Sequence, residues 1–362
     1  MSYQRDFEKR LRVAVVGVGS HAYRNILPAM HHLPVHLVAL CDVNRALAER
    51  TAPEYGVTKV YSDTAEMYKN ETLDAVFIAT GPSHHPRLAC EAFDAGVHVW
   101  TEKPPAVRAT EVEEMLRHRG NKVGVVGFKK AFLPATEKAL ELFGDGAKYA
   151  PIRSILGVYP MSVPTNGAAL LETRNGNNWL ANGVHPLAFF LTVGGPVASV
   201  TTHRGKHGGG AVILQFESGA IGNLHLAEGG AQSQPLEHYA VFGQGVHLTI
   251  DNTDRVTLHR PIPFDYGVTT TFVPPGEGSG AIVWEPQNML GTLENKSAFT
   301  QGTYAELRHF CDCALEGKPA ERGTLEFALH LMRVYEAGLL SEGQSVPVSQ
   351  GAHHGSVAPI RL

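Results

Sequence analysis

The sequence predicts an α/β fold that begins with a doubly wound parallel sheet and continues with an α+β domain built on an antiparallel sheet. Two patterns support this prediction. Short apolar runs alternate with helical stretches in the first third of the chain, and from residue 151 strand-like segments alternate with glycine-rich turns. Strands separated by helices form parallel sheets with right-handed crossovers. Strand-like segments separated by turns pair antiparallel.

The predicted first domain contains five strands. Four further helices follow the helical segment that comes after the first strand. Continuous apolar runs are typical of strands that are covered on both faces of a parallel sheet. Such runs span residues 11–16, 35–41, 75–79, 97–100 and 123–126, and we predict helices over residues 44–55, 64–68, 86–95 and 110–119. Pro28 lies within the first helical pattern, where it should kink the helix or delay its start. We divide the chain into domains 1–128 and 129–362.

A dinucleotide fingerprint joins the first strand to the first helix, with Gly17, Gly19 and Ala22 at its fixed positions. The first glycine permits a tight turn, the second lets a pyrophosphate approach the backbone, and the small third residue lets the helix pack on the strand. The helix start at Ser20 and His21 then presents its N–H groups to the phosphates. The sequence therefore predicts a Rossmann domain that binds a nicotinamide dinucleotide.

Asp42 decides between the two forms of that cofactor. It ends the second strand, 20 residues past Ala22, where an acidic residue binds the ribose hydroxyls. Its charge also repels a 2′-phosphate, so we predict NAD rather than NADP. Arg45 offers a charge that such a phosphate would need, but a solvated arginine at a helix start is the reading that we favour.

Composition and charge narrow the functional classes. The chain has 362 residues, 43% of them hydrophobic and 18% charged, with a net charge of −4. This charge gives no basic surface for nucleic acid, and no apolar run has the roughly 18 residues of a membrane span. The polar start of the chain indicates no signal peptide. Four scattered cysteines predict reduced thiols and a cytoplasmic protein; they are Cys41, Cys90, Cys311 and Cys313.

Lys103 is the leading candidate for an acid/base group. It follows a strand of the nucleotide-binding sheet, between Glu102 and Pro104. Desolvation and a neighbouring nicotinamide cation would lower its pKa from an ordinary value of about 10.4. The alternative is a surface lysine after a strand. We expect Pro104 to fix the backbone here, with a cis bond as one option. Adjacent histidines at 31–32, 84–85 and 353–354 diverge, and no spaced ligand set accompanies them, so we predict no metal site.

These motifs together resemble the glucose–fructose oxidoreductase/inositol dehydrogenase/MocA (Gfo/Idh/MocA) family of sugar and polyol dehydrogenases. The resemblance rests on the fingerprint, Asp42, Thr80 with His85, the Glu102–Pro104 tripeptide and the stretch 182–185. Looser similarity at residues 215–222, 242–251, 303–316 and 324–341 extends it over nearly the whole chain.

The resemblance implies an NAD-dependent oxidoreductase acting on a secondary hydroxyl of a sugar, cyclitol or sugar derivative. Lys103 would hydrogen-bond the reacting hydroxyl, with His185 assisting. Further cofactor contacts would come from Thr80, His85 and Glu102. The implied substrate contacts are Lys129, Lys130, Asn178, Trp179 and Asn182, although solvated lysines and a packed tryptophan are open alternatives. The second domain would form a large open antiparallel sheet, and one of its faces would join a homodimer or homotetramer.

One position departs from the family pattern. The family has an aspartate four residues before the histidine, where this chain has Ala181. Asn177, Asn178 or Asn182 can supply a hydrogen bond there, but an amide cannot act as a base. Two other functions therefore stay open, a redox-neutral NAD-dependent glycosidase and a non-catalytic regulatory protein that senses nucleotide or sugar. The presence of Lys103 and His185 argues against the second.

Overall fold

The computed structural model describes residues 6–174, 176–231, 236–262, 266–267, 276, 279–286 and 297–348. The chain divides into two compact units. The first unit is Met1–Lys129, Arg174–Gly176 and Gly302–Met332, and the second is Lys130–Thr173, Asn177–Gln301 and Arg333–Leu362. The predicted division at residue 128 assigns residues 302–332 to the second domain, whereas here they pack with the first unit.

The first unit is built on a six-stranded sheet. Its strands are β1 Leu11–Val16, β2 Val35–Cys41, β3 Lys59–Tyr61, β4 Ala75–Ile78, β5 His98–Glu102 and β6 Gly124–Gly127. All pairs are parallel, in the order β3-β2-β1-β4-β5-β6. This is the strand order of the Rossmann fold, which confirms the predicted doubly wound sheet. The sequence pattern did not predict β3, because this edge strand has three residues and an exposed Lys59.

Helices connect these strands. They are α1 Arg45–Thr51, α2 Thr64–Asn70, α3 His85–Asp94 and α4 Ala109–Arg119. Capping side chains begin two of them, because Asn44 accepts a hydrogen bond from the Leu47 amide and Asp63 from the Glu66 amide. The segment after β1 is a π-helical turn over Ala22–Ile26, and a separate 3₁₀ turn starts at Pro28. Pro28 thus interrupts the helix as predicted, since proline has no amide hydrogen to donate.

The rest of the chain supplies six helices and nine strands among the described residues. In chain order these are α5 Pro134–Phe143, β7 Ser154–Tyr159, α6 Gly167–Thr173, α7 Val184–Gly194, β8 Val197–Arg204, β9 Gly210–Phe216, β10 Ile221–Leu226, β11 His238–Phe242, β12 His247–Asp251, β13 Arg255–His259, β14 Ala281–Trp284, α8 Ser297–Thr300, α9 Thr303–Glu316, α10 Leu325–Leu340 and β15 Val346–Pro347. Helix α9 belongs to the first unit, and α10 begins there.

The second sheet has the described order β14-β13-β12-β11-β7-β10-β9-β8-β15. Its pairs are antiparallel except one, since β7 and β10 run parallel with Ser154 opposite Ile221. The predicted open antiparallel sheet is therefore confirmed apart from this one parallel pair, which makes the sheet mixed. The long connection through α6 and α7 supplies the crossover that parallel pairing requires.

Helix α7 packs closely on one face of this second sheet. A Cβ added to Gly157 or Gly222 would lie 2.7 or 2.9 Å from the ring of Phe190. These two glycines let the helix approach β7 and β10. On β10, buried residues alternate with exposed ones, so the opposite face of the sheet is open.

Helix α9 covers one face of the first sheet. The Phe310 ring meets Phe77 edge to face at 5.3 Å between centroids, and Phe77 contacts Trp100 at 5.9 Å. These rings belong to the buried core of the first unit. Within the described part of the chain, no helix is both long enough and apolar enough to cross a bilayer.

Candidate active site

The glycine loop after β1 has the shape that a dinucleotide needs. Gly17 has φ +87°, and a Cβ at this position would lie 2.7 Å from the Ala79 carbonyl oxygen, so only glycine fits. A Cβ on Gly19 would meet nothing within 4 Å, which leaves this backbone open to a ligand. Ala22 is buried. The loop therefore has the three features that binding of the NAD pyrophosphate requires: a tight turn at the first glycine, open backbone at the second and a small residue packed at the third position.

Asp42 ties this loop to the end of β2. One carboxylate oxygen accepts from the Val18 amide and the other from the Asn44 amide, each at 2.8 Å. Each oxygen keeps a further lone pair for a ribose hydroxyl. Arg45 is half exposed, and its side chain bonds Glu49 at 2.8 Å, as a solvated arginine at a helix start would.

Glu102 connects the loop segment to Lys103. It is the last residue of β5, and one of its carboxylate oxygens lies 2.7 Å from Nε2 of His21. Its other oxygen accepts from the Lys103 amide at 2.8 Å. The carboxylate therefore joins the start of the helical segment after β1 to the backbone at the end of β5.

His85 and Thr80 hold the next loop. His85 is 0% exposed, with Nδ1 2.9 Å from the Pro104 carbonyl and Nε2 3.0 Å from the Thr80 carbonyl. Burial lowers the pKa of His85. This placement corrects the predicted contact between His85 and the cofactor, because both ring nitrogens face backbone carbonyls. Thr80 is half buried beside Gly17. The Lys103–Pro104 peptide bond is cis.

Lys103 has the environment of an acid/base group. Burial lowers the pKa of Lys103 from its ordinary value of 10.5; the charge of Glu102 opposes this shift and that of Lys129 adds to it. Glu306 also opposes the shift. A lowered pKa makes the neutral amine accessible, and only the neutral amine can accept a proton.

In the second unit, the predicted residues lie on one helical segment. A π-helical turn over Trp179–Gly183 leads directly into α7, and His185 lies half buried in the first turn of that helix. Asn182 donates to Asn178 at 2.6 Å, and Asn178 donates to the Ser162 hydroxyl at 3.0 Å. Ala181 is exposed in the same turn. Such π turns are frequent at functional sites.

Trp179 is a packing residue, which corrects the prediction that it contacts substrate. It is 2% exposed, and its indole nitrogen donates to the Tyr335 carbonyl at 3.2 Å. A Cβ on Gly183 would lie 2.1 Å from the indole ring, so the ring fills the space over this glycine. Its face is therefore closed to a sugar.

Lys130 is also placed differently from the prediction. It is 4% exposed, and its ammonium bonds a carboxylate oxygen of Glu237 at 2.7 Å. The other oxygen of Glu237 accepts from the hydroxyl of Tyr239 at 2.7 Å. The lysine is thus neutralised inside the second unit, which corrects its predicted substrate contact. Lys129 is half buried in the first unit, and its charge acts on Lys103.

The structure groups the predicted residues within each unit. The carboxyl edge of the first sheet carries Gly17, Gly19, Asp42, Glu102 and Lys103. The segment before and into α7 carries Asn178, Asn182 and His185. Sequence reasoning missed Glu306, because a glutamate in an ordinary helical pattern gives no sign of burial. No cluster of three potential metal ligands occurs among the described residues, and His353–His354 lie outside them.

Comparisons with known proteins confirm the family resemblance. Residues 11–128 match the model of GFO_IDH_MocA, an oxidoreductase family with an NAD-binding Rossmann fold. An uncharacterized oxidoreductase of Synechocystis is 32% identical over 138 residues, a match that spans 38% of this chain and 37% of that protein. The NAD(+)-dependent scyllo-inositol 2-dehydrogenase of Bacillus subtilis is 22% identical over 331 residues, 86% of this chain and 88% of that protein.

A further relative and a solved structure agree with this. D-glucoside 3-dehydrogenase of Escherichia coli is 30% identical over 206 residues, which cover 53% of this chain and 57% of that protein. Levoglucosan dehydrogenase, solved with NADH and levoglucosan, matches with a TM-score of 0.76 at 18% identity, over 94% of this chain and 100% of that one. At this identity the structural likeness shows the fold alone.

The burial of Lys130 predicts a role in stability. Lys130→Met would leave Glu237 buried without its counter-ion, so we expect the free energy of unfolding to fall by about 3–5 kcal/mol. Lys130→Met combined with Glu237→Gln should recover at least half of this loss, because no unpaired charge remains. Denaturant unfolding measures both. Arg45→Met, which breaks an exposed pair, should cost no more than about 1 kcal/mol. A Lys130→Met protein of unchanged stability would contradict the burial argument.

The position of Asp42 predicts cofactor preference. We expect NAD to bind at least about tenfold more tightly than NADP, because the carboxylate repels a 2′-phosphate. Asp42→Asn keeps an acceptor oxygen and removes the charge, so the ratio of the two Kd values should fall toward one in a fluorescence titration. Asp63→Asn, at the cap of α2, is the matched control and should leave the ratio unchanged. An Asp42→Asn protein with the original preference would remove Asp42 from the discrimination.

Proposed function

We propose that this chain, whose residues 11–128 match the NAD-binding Rossmann domain of the Gfo/Idh/MocA oxidoreductase family, is an oxidoreductase that oxidises a secondary hydroxyl of a sugar, cyclitol or sugar derivative with NAD. One observation carries the proposal. Lys103 follows β5 at the carboxyl edge of the cofactor-binding sheet, half buried and with a lowered pKa. Ligands of open α/β sheets bind at this edge.

The residues of the first unit that would hold NAD are those of the glycine loop and the end of β2. Gly17, Gly19 and Ser20 would receive the pyrophosphate, and Asp42 the adenosine ribose. Bound NAD supplies the acceptor for the hydride that leaves the substrate carbon. The residues of the protein would bind and orient the cofactor and the substrate, and they would accept the proton of the substrate hydroxyl.

Lys103 would take the hydroxyl proton on its Nζ. Its lowered pKa favours this role, because the amine must be neutral before it can act as a base. Glu102 fixes the Lys103 backbone through the amide bond at 2.8 Å. His185, in the first turn of α7, would assist by taking or returning the hydroxyl proton.

Ala181 is the departure from the family pattern that bears on the proposed substrate contacts. This chain has no carboxylate at that position, so the neighbouring amides are the groups available to orient a hydroxyl. Asn182 and Asn178 are bonded to each other and to Ser162, which fixes their direction. We propose that they hold the substrate and that Lys103 acts as the base without a second carboxylate at the Ala181 position.

The names of relatives support the substrate class. The Bacillus subtilis relative acts on a cyclitol and the Escherichia coli relative on a glucoside. Both carry secondary ring hydroxyls.

Lys103→Ala tests the proposal. We expect kcat/KM to fall by about 10²–10⁴-fold, since a positioned acid/base group contributes this much, while Kd for NAD stays within about threefold. Because the base must lose its proton first, the wild-type rate should rise with pH through the lowered pKa of Lys103. Nicotinamide absorbance with a panel of sugars, cyclitols and sugar acids measures the rate. Lys69→Ala, an exposed lysine of α2, is the control.

Two outcomes would contradict the proposal. Unchanged turnover in Lys103→Ala would remove the lysine from the mechanism. NAD binding without cofactor reduction by any substrate of the panel would favour redox-neutral glycoside cleavage, which releases a leaving group that chromatography detects, or a sensor that releases none.

We also propose that the open face of the second sheet forms a subunit interface. Ile221 on β10 and Val283 on β14 point to this face and are 46% and 44% exposed. They lie five strands apart in the sheet, so a second copy of the chain that covered both would lie across most of this face.

Sedimentation velocity tests this interface. We expect the wild-type chain to sediment as a homodimer or homotetramer, and Ile221→Asp to shift it toward the monomer, because a buried unpaired charge is costly. Glu217→Asp, in the turn before β10, should leave the association state unchanged. A wild-type monomer at micromolar concentration would overturn the interface.

A further inference from the structure

Glu306 is a buried carboxyl group that the proposed reaction does not use. It lies in the first turn of α9 and is 1% exposed. A Cβ added to Gly127 would lie 3.4 Å from an oxygen of Glu306 and 2.7 Å from the ring of Trp100. The carboxyl therefore lies over Gly127, at the end of β6, within van der Waals contact of the space that a Cβ on residue 127 would occupy.

This position brings Glu306 next to Glu102. Gly127 is the register partner of Glu102 on the neighbouring strand. Paired residues of adjacent strands point to the same face, and the strands are about 4.8 Å apart. Trp100 lies two residues before Glu102 and therefore on the same face, which is the face that α9 covers. The two carboxyl groups thus lie on one face of the sheet, side by side at its carboxyl edge.

The two carboxyl groups differ in their hydrogen bonds. Both oxygens of Glu102 are bonded, one to His21 and one to the Lys103 amide. Oε2 of Glu306 has no hydrogen-bond partner among the described residues. An ionised carboxylate needs its oxygens satisfied when it is buried, whereas a protonated one carries no net charge to compensate.

The surroundings of Glu306, like its hydrogen bonding, favour the protonated form of its carboxyl group. The charged groups that face it are Glu102, Lys103 and Lys129, and His21 is bound to Glu102. Burial raises the pKa of Glu306 well above its ordinary value, and the charge of Glu102 raises it further, against the opposing effect of Lys129 and Lys103.

We propose that Glu102 and Glu306 form a carboxyl pair that carries a single negative charge, with Glu102 ionised and Glu306 protonated. Glu306 is in this way a positioning residue for Lys103. Here the inference rests on the proposed function, since it takes Lys103 as the base. A second carboxylate beside Lys103 would hold the proton on its amine. The neutral Glu306 leaves one charge, enough to fix His21 and the Lys103 backbone.

Thermal unfolding at a series of pH values tests the protonation of Glu306 without reference to activity. A carboxyl whose pKa is raised by folding binds more protons in the folded state, so its contribution to stability is lost as pH rises from about 4.3 to the folded pKa. Glu306→Gln has no such proton to lose. Its Tm relative to wild type should therefore rise with pH, as the ratio of the two unfolding constants changes by about tenfold per pH unit.

Glu316→Gln is the matched control, because it makes the same change at an exposed position of the same helix. Lys318 lowers the pKa of Glu316, so this carboxyl is ionised in both the folded and the unfolded state once the pH is about one unit above 4.3, and from there upward the Tm difference of this variant from wild type should stay constant. A constant difference for Glu306→Gln as well would overturn the proposal. Should that variant fail to fold, the infrared spectrum of the wild-type protein at neutral pH decides. The carbonyl band of a protonated carboxyl supports the pair, and its absence overturns it.

A double-mutant cycle tests the coupling to function. In Glu102→Gln the negative charge can pass to Glu306, so the two substitutions should be strongly non-additive. We expect Glu306→Gln to lower kcat/KM by no more than about threefold in the wild-type background and by at least about tenfold in the Glu102→Gln background. Additive losses would overturn the shared charge. If Lys103→Ala proves active, the proposed function fails, while the unfolding experiment still decides the protonation of Glu306.

Discussion

The chemistry of the first unit depends on the two hydrogen bonds of the Glu102 carboxylate. A buried carboxylate must have its oxygens bonded, and those of Glu102 bond His21 and the Lys103 amide. These partners come from separate segments, the helical turn after β1 and the end of β5. The carboxylate therefore links the segment that we propose binds the cofactor to the backbone of Lys103, the proposed base.

The fold was predictable where the signal is local. β1 and β2 have the predicted bounds, because each is a continuous apolar run. β3, with three residues at the sheet edge, gives no such run. The parallel pairing of β7 with β10 was not predictable, because it joins segments more than 60 residues apart and depends on the route through α6 and α7. The alternation of residues along a strand predicts which face of the strand is buried, but it does not predict which other strand pairs with it.

The candidate site residues, like the fold, were predictable only where the signal is local. Gly17, Asp42 and Glu102 occupy the positions that their motifs predict, because each motif is read from a few consecutive residues. Lys130 and Trp179 do not, and in both the reason is a distant partner. The ion pair of Lys130 is with Glu237, 107 residues away, and the indole of Trp179 bonds the carbonyl of Tyr335, 156 residues away. A polar side chain near a motif is thus a ligand contact only if the fold leaves it uncovered.

Two acidic side chains show two ways in which this protein accommodates a carboxyl group with little access to water. The oxygens of Glu237 are both bonded, one to the Lys130 ammonium and one to the Tyr239 hydroxyl. Oε2 of Glu306 has no hydrogen-bond partner among the described residues, and the charge of Glu102 would repel a second negative charge there. The first arrangement has a bonded partner for each oxygen, which fixes its geometry. The second keeps a proton within the cluster that contains Lys103, so the position of the single negative charge near the proposed base depends on which carboxyl carries that proton.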